Sequence, residues 1–138
     1  MFSLFFSELL DAFSDGPNFI IGEGDPVVEH VVVLKFRFDI DALFKDRIVE
    51  SFISLSASKK NGQTYILSIK RCYGLLLSAA VFQDYDELFI ISFSCDEDRD
   101  YYIGTDLNYC DQNFLFFKQF VTPYLDEDKG FLTFAYKS

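Results

Sequence analysis

The chain has 138 residues, enough for one domain, and 50% hydrophobic with 25% charged residues is a globular composition rather than a disordered one. Its 22 acidic residues against 12 basic residues give a net charge of −10, which argues against nucleic acid as the main partner because phosphate contacts need positive charge. A single histidine, His30, excludes a site that needs two imidazoles from one chain, as most catalytic zinc sites do.

The cysteines and the hydropathy pattern predict a cytoplasmic protein. Cys72, Cys95 and Cys110 are odd in number and match no zinc-binding spacing, so reduced thiols are the simplest interpretation. The amino terminus is apolar but lacks the basic region of a signal peptide, and no run reaches the ~20 apolar residues of a transmembrane helix. We therefore expect neither export nor a membrane partner.

The first third of the chain predicts two strands and two helices. Apolar residues spaced by three and four predict a short amphipathic helix over residues 3–13, and residues 19–21 predict a short strand. The β-branched and aromatic run at 27–38 predicts a longer strand. Asp39 or Asp41 can then cap a helix over residues 42–51.

Residues 52–58 fit either a continued helix or a strand. Alternating apolar residues favour a strand that enters a hairpin at the turn 59–62 and returns over residues 64–72. Further strands are expected at residues 75–82 and 88–95.

The rest of the chain predicts one long helix and a last strand. A short strand is possible at residues 101–103, Asp111 can cap a helix that runs to about residue 121, and residues 131–136 form the last strand. This order predicts a single α+β domain over residues 1–138, with a mostly antiparallel sheet of about five to seven strands and two to three helices packed against it.

The charges are segregated along the chain. Residues 1–30 carry −6, residues 31–72 carry +4 and residues 73–138 carry −8, which sum to −10. The densest stretch, residues 84–111, holds nine carboxylates and one basic residue, Arg99. Crowded carboxylates repel one another, so their concentration favours a cationic partner, although charged loops are often only solvated.

Tyrosines within the acidic stretch support a protein partner, because tyrosine supplies rigid contact area and binds Lys and Arg through cation–π contacts. We expect a protein with a cationic surface as the partner. The predicted partner-binding residues are Asp84, Tyr85, Asp86, Glu87, Asp96, Glu97, Asp98, Asp100, Tyr101 and Tyr102.

The patterns that would indicate chemistry are incomplete. Residues 96–100 resemble the opening of a calcium-binding loop, but that loop needs Gly at its sixth and Glu at its twelfth position, where this chain has Tyr101 and Leu107. The turn at residues 22–26 has two of the three glycines of a dinucleotide site and precedes a strand. The sequence therefore predicts no catalytic residues, no metal and no cofactor.

As a type, the chain resembles the small immunity proteins of bacterial polymorphic and contact-dependent growth inhibition toxin systems. The resemblance rests on size, acidity, abundant aromatic residues, the lack of a catalytic set and the opening Met1-Phe2-Ser3-Leu4-Phe5. It implies a cytoplasmic inhibitor that binds one cognate toxin domain, often a basic nuclease, and blocks its active site.

Two alternatives stay open. In size and charge the chain is also similar to the acidic α+β chaperones of type III secretion, which dimerise and wrap an effector segment. A small enzyme with a carboxylate-only site is the other alternative, and it predicts a deep pocket with carboxylates of raised pKa.

Overall fold

The computed structural model describes residues 27–74, 82 and 84–137. Within these residues the chain forms six strands, three helices and two short 3-10 turns. In chain order they are β1 (Val28–Leu34), α1 (Ala42–Ser54), a 3-10 turn (Leu55–Ala57), β2 (Lys59–Lys60), β3 (Gln63–Thr64), β4 (Ile66–Arg71), β5 (Glu87–Phe93), α2 (Asp96–Ile103), α3 (Gln112–Val121), a 3-10 turn (Thr122–Tyr124) and β6 (Phe131–Lys137).

The main sheet is antiparallel, in the order β4-β5-β1-β6. Strand β1 is central and pairs with β5 on one side and with β6 on the other. Its Val31, Val32 and Val33 are all fully buried, so both faces of this strand are covered. A run of consecutive β-branched residues suits such a position, because every side chain needs an apolar environment.

The helices pack on one face of the sheet, where an aromatic cluster fills the interior. The Phe52 ring of α1 lies 4.4 Å from that of Phe89 on β5 and 5.3 Å from that of Phe117 on α3 (centroid distances). Burying each such ring contributes roughly 1.5–3 kcal/mol, so this cluster is a main source of stability. A second buried cluster on the opposite face contains Val31, Val33, Phe82, Leu88 and Ile90.

Aspartates begin two of the helices. Asp41 accepts a hydrogen bond from the Phe44 N–H at 2.8 Å and starts α1. Asp111 accepts from the Asn113 N–H at 2.9 Å and starts α3. The sequence predicted Asp111 as a cap and offered Asp39 or Asp41 for α1, and the structure confirms Asp111 and selects Asp41.

The predicted α+β class is confirmed, but the sheet is smaller than predicted. Four strands form the main sheet of the described residues, and β2 and β3 form a separate two-stranded ribbon. The predicted helix at residues 42–51 is present and extends to Ser54. The predicted helix at 3–13, the strand at 19–21 and most of the strand at 75–82 lie outside the described residues.

Two local preferences are wrong. Residues 52–58 fitted either a continued helix or a strand, with the strand favoured, but residues 52–57 form the end of α1 and a 3-10 turn, because Phe52 and Leu55 continue the buried stripe of Ile48. The hairpin turn is nevertheless present at Asn61-Gly62, where both residues have positive φ, 53° and 82°. Residues 101–103 are helical, not a strand, because they end α2 at Gly104, which has φ 84°.

Replacing Asp111 by alanine is expected to lower the free energy of unfolding by about 2–4 kcal/mol. The change removes a helix cap and leaves the buried Tyr65 hydroxyl, which donates to Asp111, without its acceptor. The matched control is Asp41→Ala, which removes an exposed cap and should cost about 1 kcal/mol. Chemical denaturation measures the free energy of unfolding of both variants. Equal losses in the two would contradict the contribution of the buried hydrogen bond between Tyr65 and Asp111.

Candidate partner-binding surfaces

The ten residues predicted to bind a partner are divided between the two ends of β5. Residues 84–87 lie at its start, and residues 96–102 belong to α2, which follows its end. A strand of seven residues spans roughly 20 Å at ~3.4 Å per residue. The predicted acidic stretch therefore forms two separate groups rather than one surface.

Each carboxylate of the α2 group has a basic partner within the chain, although four carboxylates share two cations. The Lys60 ammonium lies 2.9 Å from Asp98 and 3.4 Å from Glu97. Arg99 lies 3.6 Å from Asp96 and 3.0 Å from Asp100. Burial of Asp98 opposes its ionisation, but the hydrogen bond and the charge of Lys60, together with hydrogen bonds from Ser94 and Cys95, outweigh that effect and lower the pKa of Asp98.

The same acidic residues also stabilise α2 itself. Asp96, Glu97 and Asp98 occupy its first turn, where negative charge interacts favourably with the helix dipole. These charges therefore contribute to the stability of the fold as well as to its acidity. Tyr101 packs near them, with its ring centroid 5.1 Å from that of Tyr65 and 5.8 Å from the Lys60 ammonium.

Two of the predicted contact residues are buried. Glu87 is 7% exposed and binds Arg71 through both carboxylate oxygens, at 2.5 and 2.8 Å. Tyr102 is 1% exposed, and its ring stacks on Phe114 with centroids 4.0 Å apart. Neither side chain offers surface to a partner while the chain is folded.

The start of β5 lies close to a second acidic turn, residues 126–128, which was not among the predicted partner-binding residues. Leu34, the last residue of β1, pairs with Glu87 of β5 and with Phe131 of β6. The segments before β5 and before β6 therefore finish at the same end of the sheet. Between them lies a concavity of about 480 Å³, which we call the acidic concavity. Its lining residues are Lys35, Phe36, Arg37, Phe38, Lys45, Asp84, Asp86, Asp126, Glu127 and Asp128.

Three of the carboxylates in the acidic concavity have partners within the chain. Asp86 accepts a hydrogen bond from the Phe36 N–H at 2.8 Å. Asp84 lies 3.6 Å from the Lys129 ammonium. Asp126 accepts from the N–H groups of Lys129 and Asp128, both at 3.0 Å, and these bonds lower its pKa.

Glu127 and Asp128 are different, because both are exposed and neither forms an ion pair with another residue in the part of the chain that the structure describes. The lining holds five carboxylates and three basic residues, which leaves a local charge of −2. Two unpaired carboxylates at the edge of a concave surface are available to a cationic partner.

Phe38 stands at the same surface and is 100% exposed. The turn that carries it is held from both sides of the residue. Arg37 donates to the Pro123 carbonyl at 3.1 Å and to Asp39 at 3.1 and 2.5 Å, and the Arg37 N–H donates to the Tyr124 carbonyl at 3.0 Å. The Phe38 ring is therefore exposed to solvent on a turn that these hydrogen bonds hold in place.

The described residues offer little support for a carboxylate-based enzyme site. Among the described carboxyl groups, three have a pKa that departs from its ordinary value, namely Asp39, Asp98 and Asp126. In each of them the pKa is lowered. A general acid needs the opposite shift. No three histidine, cysteine or acidic side chains among the described residues are grouped so that they could hold a metal ion.

The single histidine is part of the core. His30 is 4% exposed, its Nε2 lies 2.9 Å from the Thr133 hydroxyl, and its ring contacts Tyr102 edge-on at 5.6 Å. Burial, and then the nearby charge of Arg99, lowers the pKa of His30 from 6.5 to about 4. His30 is thus held neutral in the folded chain.

Neither the protein-family models nor the curated proteins include a match to this chain. A bilayer-crossing helix would have to be longer and more apolar than any that the described residues form.

Acidification is expected to destabilise the protein through His30. Because its pKa is near 4 when folded and 6.5 when unfolded, its contribution is complete above pH 6.5 and is lost as the pH falls towards 4, by about 2–3 kcal/mol. Comparing the native chain with His30→Gln by denaturation at pH 7 and pH 4.5 isolates this effect. Because His30 is the only histidine of the sequence, its NMR titration can be assigned without ambiguity. A titration midpoint near pH 6.5 in the folded chain would contradict the prediction.

Proposed function

We propose that this protein is an inhibitor of the immunity type, which binds a cationic toxin domain at the acidic concavity and blocks the toxin's active site. The observation that carries this proposal is the convergence of two acidic turns, distant in sequence, around an exposed aromatic ring. The inhibitor performs no reaction of its own, because occlusion requires only binding.

The electrostatics of the chain support this role. A net charge of −10 attracts a basic domain from a distance and speeds its encounter at low salt. Glu127 and Asp128 then supply carboxylates that are not engaged in ion pairs with the other described residues when the partner arrives. Carboxylates in these positions imitate the phosphates that a nuclease cleft binds.

The proposed contact surface differs from the one expected from sequence. Asp84, Tyr85 and Asp86 remain within it or beside it, because they precede β5 at the same edge of the sheet. Tyr85 is half-buried against Phe82, with ring centroids 6.4 Å apart, so it supports this edge more than it contacts a partner. The α2 residues have a reduced role, because their charges are already paired.

The proposal predicts that a secreted protein with a toxic carboxyl-terminal domain is encoded beside the gene for this chain, and that domain is the reagent that tests the function. Expressed alone, that domain should arrest bacterial growth, and co-expression of this chain should restore growth. Purified together, the two should form a one-to-one complex, because an inhibitor acts by stoichiometric occupation. Rescue that needs far less of this chain than of the toxin would contradict inhibition by binding.

Reversing the two unpaired carboxylates should slow association with that toxin domain. Glu127→Lys combined with Asp128→Lys changes the net charge from −10 to −6, and we expect the association rate at low salt to fall about tenfold. The matched control, Glu50→Lys combined with Asp106→Lys, makes the same charge change at two other exposed carboxylates that form no ion pair with the described residues. Stopped-flow binding measures both, and an equal effect would show that only overall charge matters.

Removing the Phe38 ring should shorten the life of the complex. We expect Phe38→Ala to raise the dissociation rate by about tenfold or more, as truncation of a buried aromatic anchor does. Because the ring is fully exposed in the free chain, the free energy of unfolding should change by less than about 0.5 kcal/mol. Surface plasmon resonance measures the rate, and Leu107→Ala, which removes a side chain that is 72% exposed, is the control.

A further inference from the structure

Helix α2 is attached to the sheet mainly through one side chain. Tyr102 is its single buried residue, and Tyr101 is only half-buried. The Tyr102 ring stacks on Phe114 of α3 and contacts His30 of β1 edge-on, with centroids 4.0 and 5.6 Å away. A helix with so little buried apolar surface opens locally at a lower free energy than the core does. The attachment of α2 therefore depends on a contact with the only histidine of the sequence.

The segments on both sides of α2 can accommodate such an opening. Ser94 and Cys95, which precede the helix, are exposed. At its other end Gly104 has φ 84°, which glycine adopts without strain, and residues 105–109 are exposed. Because neither segment is fixed by burial, α2 can move away from the sheet while β5 and α3 stay folded.

The position of His30 suits only the neutral ring. His30 is 4% exposed, and its Nε2 lies 2.9 Å from the hydroxyl of Thr133 on β6. Its Nδ1 is buried and has no hydrogen-bond partner among the described residues. A protonated ring carries N–H on both nitrogens, so in this position the Nδ1–H would be a buried donor without an acceptor.

The charges around the ring add to this penalty. Arg99 of α2 acts on His30 and opposes a second positive charge. Ile91, which pairs with His30 on β5, and Thr133 on β6 are uncharged. The neighbouring carboxylate on β1, Glu29, belongs to the other face of the strand, where it accepts from the Ser92 hydroxyl.

Two further titratable groups lie towards the helices, and neither compensates a charged ring. Burial raises the pKa of Tyr102 well above its usual value, so its hydroxyl stays neutral. Asp111, which begins α3, accepts from the Tyr65 hydroxyl and the Asn113 N–H instead. We infer that protonation of His30 releases α2 from the sheet, because the charged ring is hydrated once Tyr102 moves away.

The ion pair between α2 and the β2–β3 ribbon persists while this happens. Lys60 of β2 lies 2.9 Å from Asp98 and lowers the pKa of that carboxyl, which therefore keeps its charge at a pH where an ordinary aspartate begins to lose it. His30 responds earlier, because its ring takes up a proton below pH 6.5 once it is hydrated. Released α2 thus stays attached to the ribbon.

Release of α2 leaves the acidic concavity in place, because the helix follows the end of β5 and the concavity lies at its start. The inference goes beyond the proposed inhibition of a toxin and does not depend on it. It also differs from global unfolding in acid, because the sheet and α3 remain folded when α2 opens.

Hydrogen–deuterium exchange of the full chain by NMR at pH 7 and pH 4.5, corrected for the intrinsic pH dependence of amide exchange, tests the inference. Because His30 titrates at about 4 when α2 is closed and at 6.5 when it is open, the open fraction at residues 99–103 should rise about fiftyfold. Low urea should hardly change this opening, whereas it should speed exchange in β5 and α3. Amides of α2 as well protected as those of β5 at pH 4.5 would overturn the inference.

The variant His30→Gln separates the histidine from the acidic residues of α2. Glutamine keeps a polar group near Thr133 but takes up no proton in this range, so the open fraction of α2 should change by less than about threefold between the two pH values. A rise that persists at about fiftyfold in this variant would overturn the inference and assign the effect to the carboxylates. The unfolding midpoint at pH 7 confirms that the variant is folded.

A second variant tests the same contact without changing the histidine. Arg99→Gln removes the cation that opposes protonation of His30, so the NMR titration midpoint of His30 should rise and the pH-dependent opening of α2 should become smaller. The matched control is Arg47→Gln, which removes an exposed basic residue of α1 and should leave both unchanged. An unchanged midpoint in Arg99→Gln, or an equal shift in the control, would contradict the inference.

Discussion

The register at one residue determines where the candidate surface forms. Leu34 ends β1 and pairs with the first residues of both neighbouring strands, Glu87 of β5 and Phe131 of β6. The turns before these two strands are about forty residues apart in the chain, yet the shared pairing brings their carboxylates to one concavity. A shift of one residue would move each buried valine of β1 to the opposite face of the sheet, where its neighbours differ, so packing in the two buried clusters constrains the register.

Local patterns predicted the elements better than they predicted the surface. The caps at Asp41 and Asp111 and the Asn61-Gly62 turn could be identified because their signals are short-range. For residues 52–58 the sequence favoured a strand over a continued helix because alternation and helical spacing coincide there, whereas the burial of Phe52 and Leu55 belongs to the helical form. The acidic stretch was treated as one site, but a strand separates its halves and Lys60 pairs with the second half from a distant hairpin.

Charge in this protein has two uses that sequence alone does not separate. Near α2, carboxylates interact with the helix dipole, Lys60 and Arg99, so they belong to the stability of the fold. At the acidic concavity, Glu127 and Asp128 have no such role among the described residues and remain available. The exposed aromatic rings divide similarly, with Phe38 beside the acidic charges and the rings of α3 on an uncharged face.

Hydrogen–deuterium exchange of the one-to-one complex with the toxin domain tests the central claim, that the partner covers the edge of the sheet where β5 and β6 begin. Added protection should appear at the Phe38 turn and at residues 126–128, relative to the free chain. Residues 96–101 should exchange as they do without the partner. Protection confined to α2, with the Phe38 turn unchanged, would contradict the account and return the contact to the other end of β5.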